Sequence, residues 1–337
     1  VPIGNWAMDG RILIVDGLNN FIRHYCVNPT LDNNGQPIGG IIGFLRMMKN
    51  ILGEVRPSRV IIAWDGKGGS AKRRGVYSAY KAGRKPRLNR EYGDDESVDD
   101  ARANMQWQHR KLREYLDLLG CAQVEVEGCE ADDVIGFLCS GFLSDRNKVV
   151  VSTDQDFLQL VDHKTIVYSP TRKMYFTSKN FLEEESVLPE NFIYMKALNG
   201  DGSDNLKGIK GLGPKTILKF FPVLAEKKTS LEELNEMGKV LQPKGAKEKQ
   251  ILKALLEQWE VITQNFSLMQ LRDPIISAQS VRFIKYAIRD EVFTFKFSDL
   301  KLQLIRDGVQ LPDADLFLAF NEYKIRFQKE ATTNVTE

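Results

Sequence analysis

The chain has 337 residues, 42% of them hydrophobic, enough for a full core in one large domain or two ordinary ones. A net charge of +2 favours no class of partner, so charge has to be read locally. Four cysteines without a C-x-x-C pair and three histidines without ligand-type neighbours argue against a disulfide framework and against a zinc site. No apolar run approaches the roughly 18 residues of a membrane span, and nothing reads as a signal peptide, so a cytoplasmic protein with free thiols is expected.

In chain order, residues 11–15 (R-I-L-I-V) form a continuous apolar run of buried-strand type that ends in Asp16. A helix is predicted over about 39–53, with Ile41, Phe44, Leu45, Met48 and Leu52 on one face. Residues 59–64 form a second buried-type strand ending in Asp65. Further strands are predicted at 123–126, 148–151 and 165–168, with a helix over about 105–119. Strands alternating with helices imply an α/β class fold with a mostly parallel central sheet flanked by helices. From 181 onward the pattern is helical, broken at 242–245, and 273–327 carries no recognisable chemistry.

In open parallel sheets, ligands bind beyond the carboxyl ends of the strands. Asp16, Asp65 and Asp154 each follow such an end, so adjacent parallel strands would make them converge. Glu130 and Asp133, three apart at a helix start, share a face with Asp132 beside them. Acids at a helix start are ordinarily just favourable with the helix dipole. Here the pattern recurs, with Asp156 beside Asp154 and with Asp201 and Asp204 in N-G-D-G-S-D-N. So many close carboxylates must be partly protonated or matched by a cation, and an oxygen-only set suits Mg²⁺ or Mn²⁺ rather than zinc.

Two basic stretches complete the pattern. Residues 67–90 carry Lys67, Lys72, Arg73, Arg74, Lys81 and Arg84 with no acid, and Tyr77 and Tyr80 are interleaved. Most charge runs are solvated loops. The position directly after Asp65 favours phosphate binding, with tyrosines for base stacking. The acidic run 94–100 that follows fits either a helix start or a substrate-ordered segment. The second stretch, G-I-K-G-L-G-P-K-T at 208–216, is not a nucleotide P-loop, because Pro214 separates Gly213 from Lys215 and no strand precedes it. It reads as a helix-hairpin-helix type loop. There Gly208, Ile209, Gly211 and Gly213, with Lys215 and Thr216 opening the next helix, would hold a backbone phosphate without reading sequence.

These pieces, in this order over about 12–221, resemble the 5′-nuclease superfamily. It comprises the flap endonucleases, the phage 5′ exonucleases including phage RNase H, and the amino-terminal 5′-nuclease domain of bacterial DNA polymerase I. The resemblance rests on Asp16, the D-G-K-G-G at 65–69, Y-K-x-x-R at 80–84, E-A-D-D at 130–133, S-T-D-Q-D at 152–156, G-D-G-S-D-N at 200–205 and the 208–213 loop. It implies an α/β nuclease core over 8–180 and a helical arch at about 78–105. A helical DNA-binding region with a helix–three-turn–helix would cover 181–275, followed by a C-terminal extension over 276–337. It further implies two Mg²⁺ (or Mn²⁺). One would be held by Asp16, Asp65, Glu130 and Asp132, the other by Asp154, Asp156, Asp201 and Asp204, with Asp133 nearby and one K⁺ at the 208–213 loop. Lys81 and Arg84 would clamp the scissile phosphate, and Tyr80 would sit at the arch base.

The activity so implied is phosphodiester hydrolysis assisted by two metal ions, near 5′ ends of DNA at a flap, a nick or a terminus, and also on RNA–DNA hybrids. By analogy, a free-standing, monomeric phage replication or repair nuclease is expected, in the host cytoplasm, working with a replicative polymerase or single-strand-binding protein. Two other readings are a non-catalytic, structure-specific DNA-binding protein and an endoribonuclease of the related single-domain type. The filled acidic set opposes the first, and the 208–213 loop opposes the second.

Overall fold

Residues 12–16 and 59–64 pair in parallel at the centre of a six-stranded sheet. The computed structural model describes residues 10–83, 98–289, 295–311 and 315–333. In chain order it runs β1 (Ile12–Asp16), α1 (Gly17–Val27), α2 (Gly39–Val55), β2 (Arg59–Trp64), α3 (Ala71–Val76), α4 (Val98–Leu118) and β3 (Ala122–Glu125). There follow α5 (Ala131–Phe137), β4 (Lys148–Val151), β5 (Thr165–Ser169), β6 (Met174–Phe176), α6 (Phe181–Glu185), α7 (Phe192–Asn199), β7 (Gly200–Asp201) and β8 (Leu206–Lys207). The rest is helical: α8 (Pro214–Phe220), α9 (Val223–Glu226), α10 (Leu231–Val240), α11 (Ala246–Glu257), α12 (Trp259–Met269), α13 (Ala278–Ala287), α14 (Phe297–Arg306) and α15 (Asp315–Thr333).

The sheet order is β3-β2-β1-β4-β5-β6, parallel except for the hairpin partner β6. Its strands are continuously apolar because both faces are covered. Ile12, Ile14, Ile61 and Val150 face one core with α5 and α7, while Leu13, Val15, Val60, Ile62 and Val151 face the other with α1, α2 and α4. The register aligns Asp16 with Ala63, and Val15 with Val151. Asp16, Asp65 and Ser152 therefore leave the sheet along one edge.

The mostly parallel α/β sheet matches expectation, with three departures. Helix α1 follows β1 without a gap, because Asp16 itself caps it and Phe21 and Tyr25 give it a buried face. The antiparallel β6 is three residues long, too short to show alternation. Helix α4 begins at Val98, so Asp99 and Asp100 form its acidic first turn, the placement favoured by the helix dipole; residues 94–97 lie outside the described residues. The C-terminal helices are core material: α15 packs on α2, and its buried Tyr323 donates to Gly120 O (3.0 Å) and accepts from Val60 N (3.2 Å). Among the described residues no helix is long and apolar enough to cross a membrane.

Candidate metal centre and nucleic-acid interface

The site begins with three strand ends. Asp16 accepts from the Ser152 hydroxyl (2.8 Å) and from Asn19 N (3.4 Å), and it is 4% exposed. Asn20 ties the same corner, donating to Asp16 O (2.8 Å) and Val151 O (3.0 Å). Asp65, beyond β2, is exposed and accepts from Ala131 N (2.9 Å), which fixes the start of α5 against β2. Asp154 receives Asp156 N (2.9 Å), while its own N–H donates to Ser152 Oγ (3.0 Å). Ser152 thus joins two candidate ligands from neighbouring strands.

The start of α5 supplies the next group. Glu130 and Asp133 form a capping box, each side chain serving the other's backbone amide. The buried Glu130 carboxylate accepts from Arg73 (2.9 Å), Tyr80 (3.2 Å) and Lys81 (3.2 Å). Arg73 also grips both oxygens of Asp133 (2.8 and 2.9 Å) and donates to Leu268 O (2.8 Å), pinning α3 to α5 and α12. The Lys81 ammonium lies 3.7 Å from Asp132. Lys81 holds φ at +52°, a left-handed conformation that costs a non-glycine residue about 1 kcal/mol or more. Its turn is clamped from the acidic hairpin: Lys81 N donates to Asp204 O (3.2 Å), and the Asn205 amide to Ala79 O and Ala82 O (2.9 Å each).

A second ammonium lies in the second acidic group. Lys196, on α7, pairs with Asp156 and with Asp201 (2.7 Å). Asp201 also accepts from Ser203 N (2.8 Å) and its hydroxyl (2.6 Å). Asp201 and Asp204 sit on the β7–β8 hairpin, whose strands close tightly. A Cβ on Gly200, which has φ +79°, would lie 2.2 Å from Gly208 N, and one on Gly208 would lie 1.9 Å from Asn199 O. This packing seats the 208–213 loop directly beside the acids.

Burial raises Asp16, Asp132 and Asp156, and their neighbours decide how far. Burial pushes Asp16 up to about 7 against the Ser152 hydrogen bond, with Asp65 and Asp154 adding repulsion. Asp132 is raised well above the carboxylate range by burial, Lys81 opposing and Asp154 and Asp16 reinforcing. Asp156 rises to about 7 by burial and the charge of Asp154, despite Lys196. Burial alone would raise Asp201 too, but Lys196 and Ser203 outweigh it and hold it at about 2. Lys81 and Lys196 remain firmly protonated, since the surrounding acids overcome the burial that would discharge them. Asp154 acts on both groups, so the two sets expected from the sequence meet at this residue.

Among the described residues no three His, Cys, Asp or Glu side chains stand close enough to share one ion as they lie. Lys81 and Lys196 take the carboxylate oxygens instead. The donors are nevertheless of one kind, carboxylate oxygens with neither imidazole nor thiolate, and burial leaves them short of positive charge. That chemistry fits a hard divalent cation.

Asp16, Asp65, Glu130, Asp132, Asp154, Asp156, Asp201 and Asp204 are all brought to this edge, whereas Asp133 is committed to Arg73. Three sequence expectations for the nucleic-acid interface need correcting. Arg73 is a half-buried bridge between the Glu130 and Asp133 carboxylates, not a phosphate contact. Tyr80 is 3% exposed with its hydroxyl on Glu130, so it cannot stack on a base. Ile209 is core, 3% exposed, with its amide on Leu198 O (3.3 Å). Gly208 leaves no room for a Cβ beside Asn199. Lys67, Lys72, Arg74 and Lys215 are exposed; Lys72 donates to Ile275 O (3.2 Å). Gly211 and Gly213 shape the loop, and Gly213 caps α8 without a side-chain acceptor. Arg84 lies outside the described residues. Sequence reasoning missed Lys196, a lone cation in the apolar run F-I-Y-M-K-A-L five residues before Asp201, and missed Ser152 and Asn205 as hydrogen-bonding ties.

Comparison with known proteins follows the same lines. The family described as 5′-3′ exonuclease, N-terminal resolvase-like domain, matches residues 11–186, slightly more than half of the chain. The chain is 30% identical over 245 residues to the 5′-3′ exonuclease of Bacillus subtilis, covering 70% of this chain and 78% of that protein. It is 32% identical over 250 residues to the thermostable DNA polymerase I of Thermus thermophilus, covering 74% of this chain but only 27% of the polymerase. In fold it is similar to the bacteriophage T5 flap endonuclease solved as a pseudo-enzyme-product complex with DNA and metal ions. The TM-score is 0.61 at 20% identity, over 89% of this chain and 100% of that one. The chain belongs to the 5′-3′ exonuclease family, within the 5′-nuclease superfamily.

Proposed function

We propose that the protein hydrolyses phosphodiester bonds near the 5′ ends of DNA, as a metal-dependent 5′–3′ exonuclease and 5′-flap endonuclease. The observation that carries this reading is the gathering of eight carboxylates at one sheet edge, with the Lys81 ammonium held among them by Glu130 and Asp132.

Asp16, Asp65, Glu130 and Asp132 are assigned to one divalent cation, Mg²⁺ or Mn²⁺, and Asp154, Asp156, Asp201 and Asp204 to a second. Such ions, when bound, lower the pKa of water and stabilise the attacking and leaving oxygens. The protein's own share is positional. Ser152 fixes Asp16 and the backbone at Asp154 relative to each other. Arg73 locks Glu130 and Asp133 at the α5 start. Lys81, kept charged, neutralises a phosphate drawn to the edge, with Arg84 in the same role. Lys81 and Lys196 hold the places beside these carboxylates that a cation would share, and with a cation there Lys81 would be free to face the phosphate.

The duplex is gripped through Lys207, Lys210 and Lys215 around the 208–213 loop, with the Lys215 amide at the start of α8, where Pro214 has no N–H and the Thr216 and Ile217 amides donate to Gly213 O; the loop would hold one K⁺. Lys67, Lys72 and Arg74 extend the basic surface. Activity on RNA–DNA hybrids, a polymerase or single-strand-binding partner, a monomeric state and a cytoplasmic setting belong to the same reading.

The test is cleavage of labelled 5′-flap duplex, blunt duplex and RNA–DNA hybrid with Mg²⁺ and with EDTA. Metal-dependent cutting at the flap junction or from a 5′ end is expected, and the ranking of substrates fixes the preference. Tight binding without cutting in Mg²⁺ and Mn²⁺ would replace this reading with that of a DNA-binding protein.

A further inference from the structure

A separate cavity of about 780 Å³ opens between α1, α2 and the β5–β6 hairpin. Its lining shares no residue with the acidic edge. Three cations reach it, Arg23, Arg46 and Lys173, and no carboxylate among the described residues is paired with any of them. The one acid among its described lining residues, Glu54, accepts the Tyr175 hydroxyl (2.6 Å). Tyr175 and Tyr168 lie together on one wall, ring centroids 4.6 Å apart. Between the cations lies His24, whose Nε2 is buried without a hydrogen-bond partner in the described residues. Gly43 makes room for that ring, since a Cβ there would lie 2.6 Å from its Cγ.

Cations without a paired carboxylate among the described residues, an aromatic wall and a volume in the range of small-ligand sites together suit an anion that carries a planar group. We propose that this cavity binds a nucleotide unit, its phosphate at Arg23, Arg46 and Lys173 and its base against Tyr168. The proposal goes beyond the nuclease reading, because it assigns a site away from the carboxylates. The unit has two sources, a free nucleoside 5′-monophosphate such as a nuclease releases, or a nucleotide within a DNA strand. Arg23 lies seven residues along α1 from Asp16, about 10 Å of helix rise, so a strand at the acidic edge is within reach.

The test is calorimetric titration of the full chain in EDTA with thymidine 5′-monophosphate, thymidine and inorganic phosphate, repeated on Arg46→Ala and Tyr168→Ala. Thermal melting verifies that both variants fold. The expected result is saturable binding of the monophosphate at least tenfold tighter than either fragment, weakened tenfold or more by Arg46→Ala and more modestly by Tyr168→Ala. If the unit comes from DNA, Arg46→Ala also raises KM for a 5′-flap substrate at unchanged kcat. If it is the free nucleotide, that KM stays the same. Absence of saturable monophosphate binding, phosphate binding as tight as the nucleotide, or binding unaltered in both variants would each overturn the proposal. A chain that cuts no DNA but still binds the monophosphate would count against the nuclease reading alone.

Discussion

The acidic edge and the 208–216 loop lie side by side, yet they are built in opposite ways. At the edge the charges are buried: Asp16, Glu130, Asp156 and Asp204 are 7% exposed or less, and hydrogen bonds fix Asp16, Glu130 and Asp156 in place. At the loop the apolar side chains Ile209, Leu212 and Ile217 are buried, and Lys207, Lys210 and Lys215 project into solvent. Buried, tied charges hold a geometry and strain against each other, which suits chemistry on one bond. Solvated lysines on flexible stems suit a uniform polyanion read without sequence. On the proposed nuclease reading, this difference makes turnover and affinity separable.

The sharpest way to break that separation is at the edge. Asp132→Asn should lower single-turnover cleavage by about 10³-fold, equivalent to about 4 kcal/mol of transition-state stabilisation, while Kd for a flap duplex changes less than about threefold. A parallel collapse of affinity, measured by fluorescence anisotropy, would show that the carboxylates also organise binding. Lys81→Ala should slow single-turnover cleavage at saturating DNA by about 10²-fold. An unchanged rate would remove Lys81 from the chemistry and leave it a counter-ion for Glu130 and Asp132.

The loop supplies the converse. Replacing Lys210 and Lys215 together by Ala should make the slope of log affinity against log salt shallower by about 2, with saturated cleavage retained, because each phosphate contact contributes about 0.9. An unaltered salt slope would move the duplex elsewhere. The smallest effect lies outside both regions. Burial, then Arg23 and Arg46, pushes His24 down to about 4, below its usual value near 6.5. The unfolded chain therefore binds an extra proton between those values, and the stability His24 contributes is complete above about pH 6.5 and lost as pH falls towards 4. His24→Gln should flatten that part of a Tm–pH profile; an identical acid slope would assign it to other groups.

Much of the edge was legible because strand ends and caps are local. The runs at 11–15, 59–64 and 148–151 place Asp16, Asp65 and Asp154, and a parallel sheet does the rest. What the sequence could not reveal depends on contacts distant in the chain. Arg73 looks like one of several cations in a basic run, and only the fold aims it at Asp133, 60 residues away, rather than at solvent. Lys196 sits in a helix that reads as apolar core, and its partner Asp156 is 40 residues upstream. Helix α1 was hidden for a different reason: the asparagines that tie it to the strand ends, Asn19 and Asn20, make its first turn read as a loop.

The central claim, that chemistry resides in the acidic edge and grip elsewhere, is tested most directly by Asp154→Asn, since Asp154 bears on both carboxylate groups. Its Kd and single-turnover rate should be measured on one 5′-flap duplex in Mg²⁺ beside the unaltered protein. The account predicts a rate lower by about 10³-fold with Kd within about threefold. A variant that cuts at near the original rate, or that no longer binds, would contradict it.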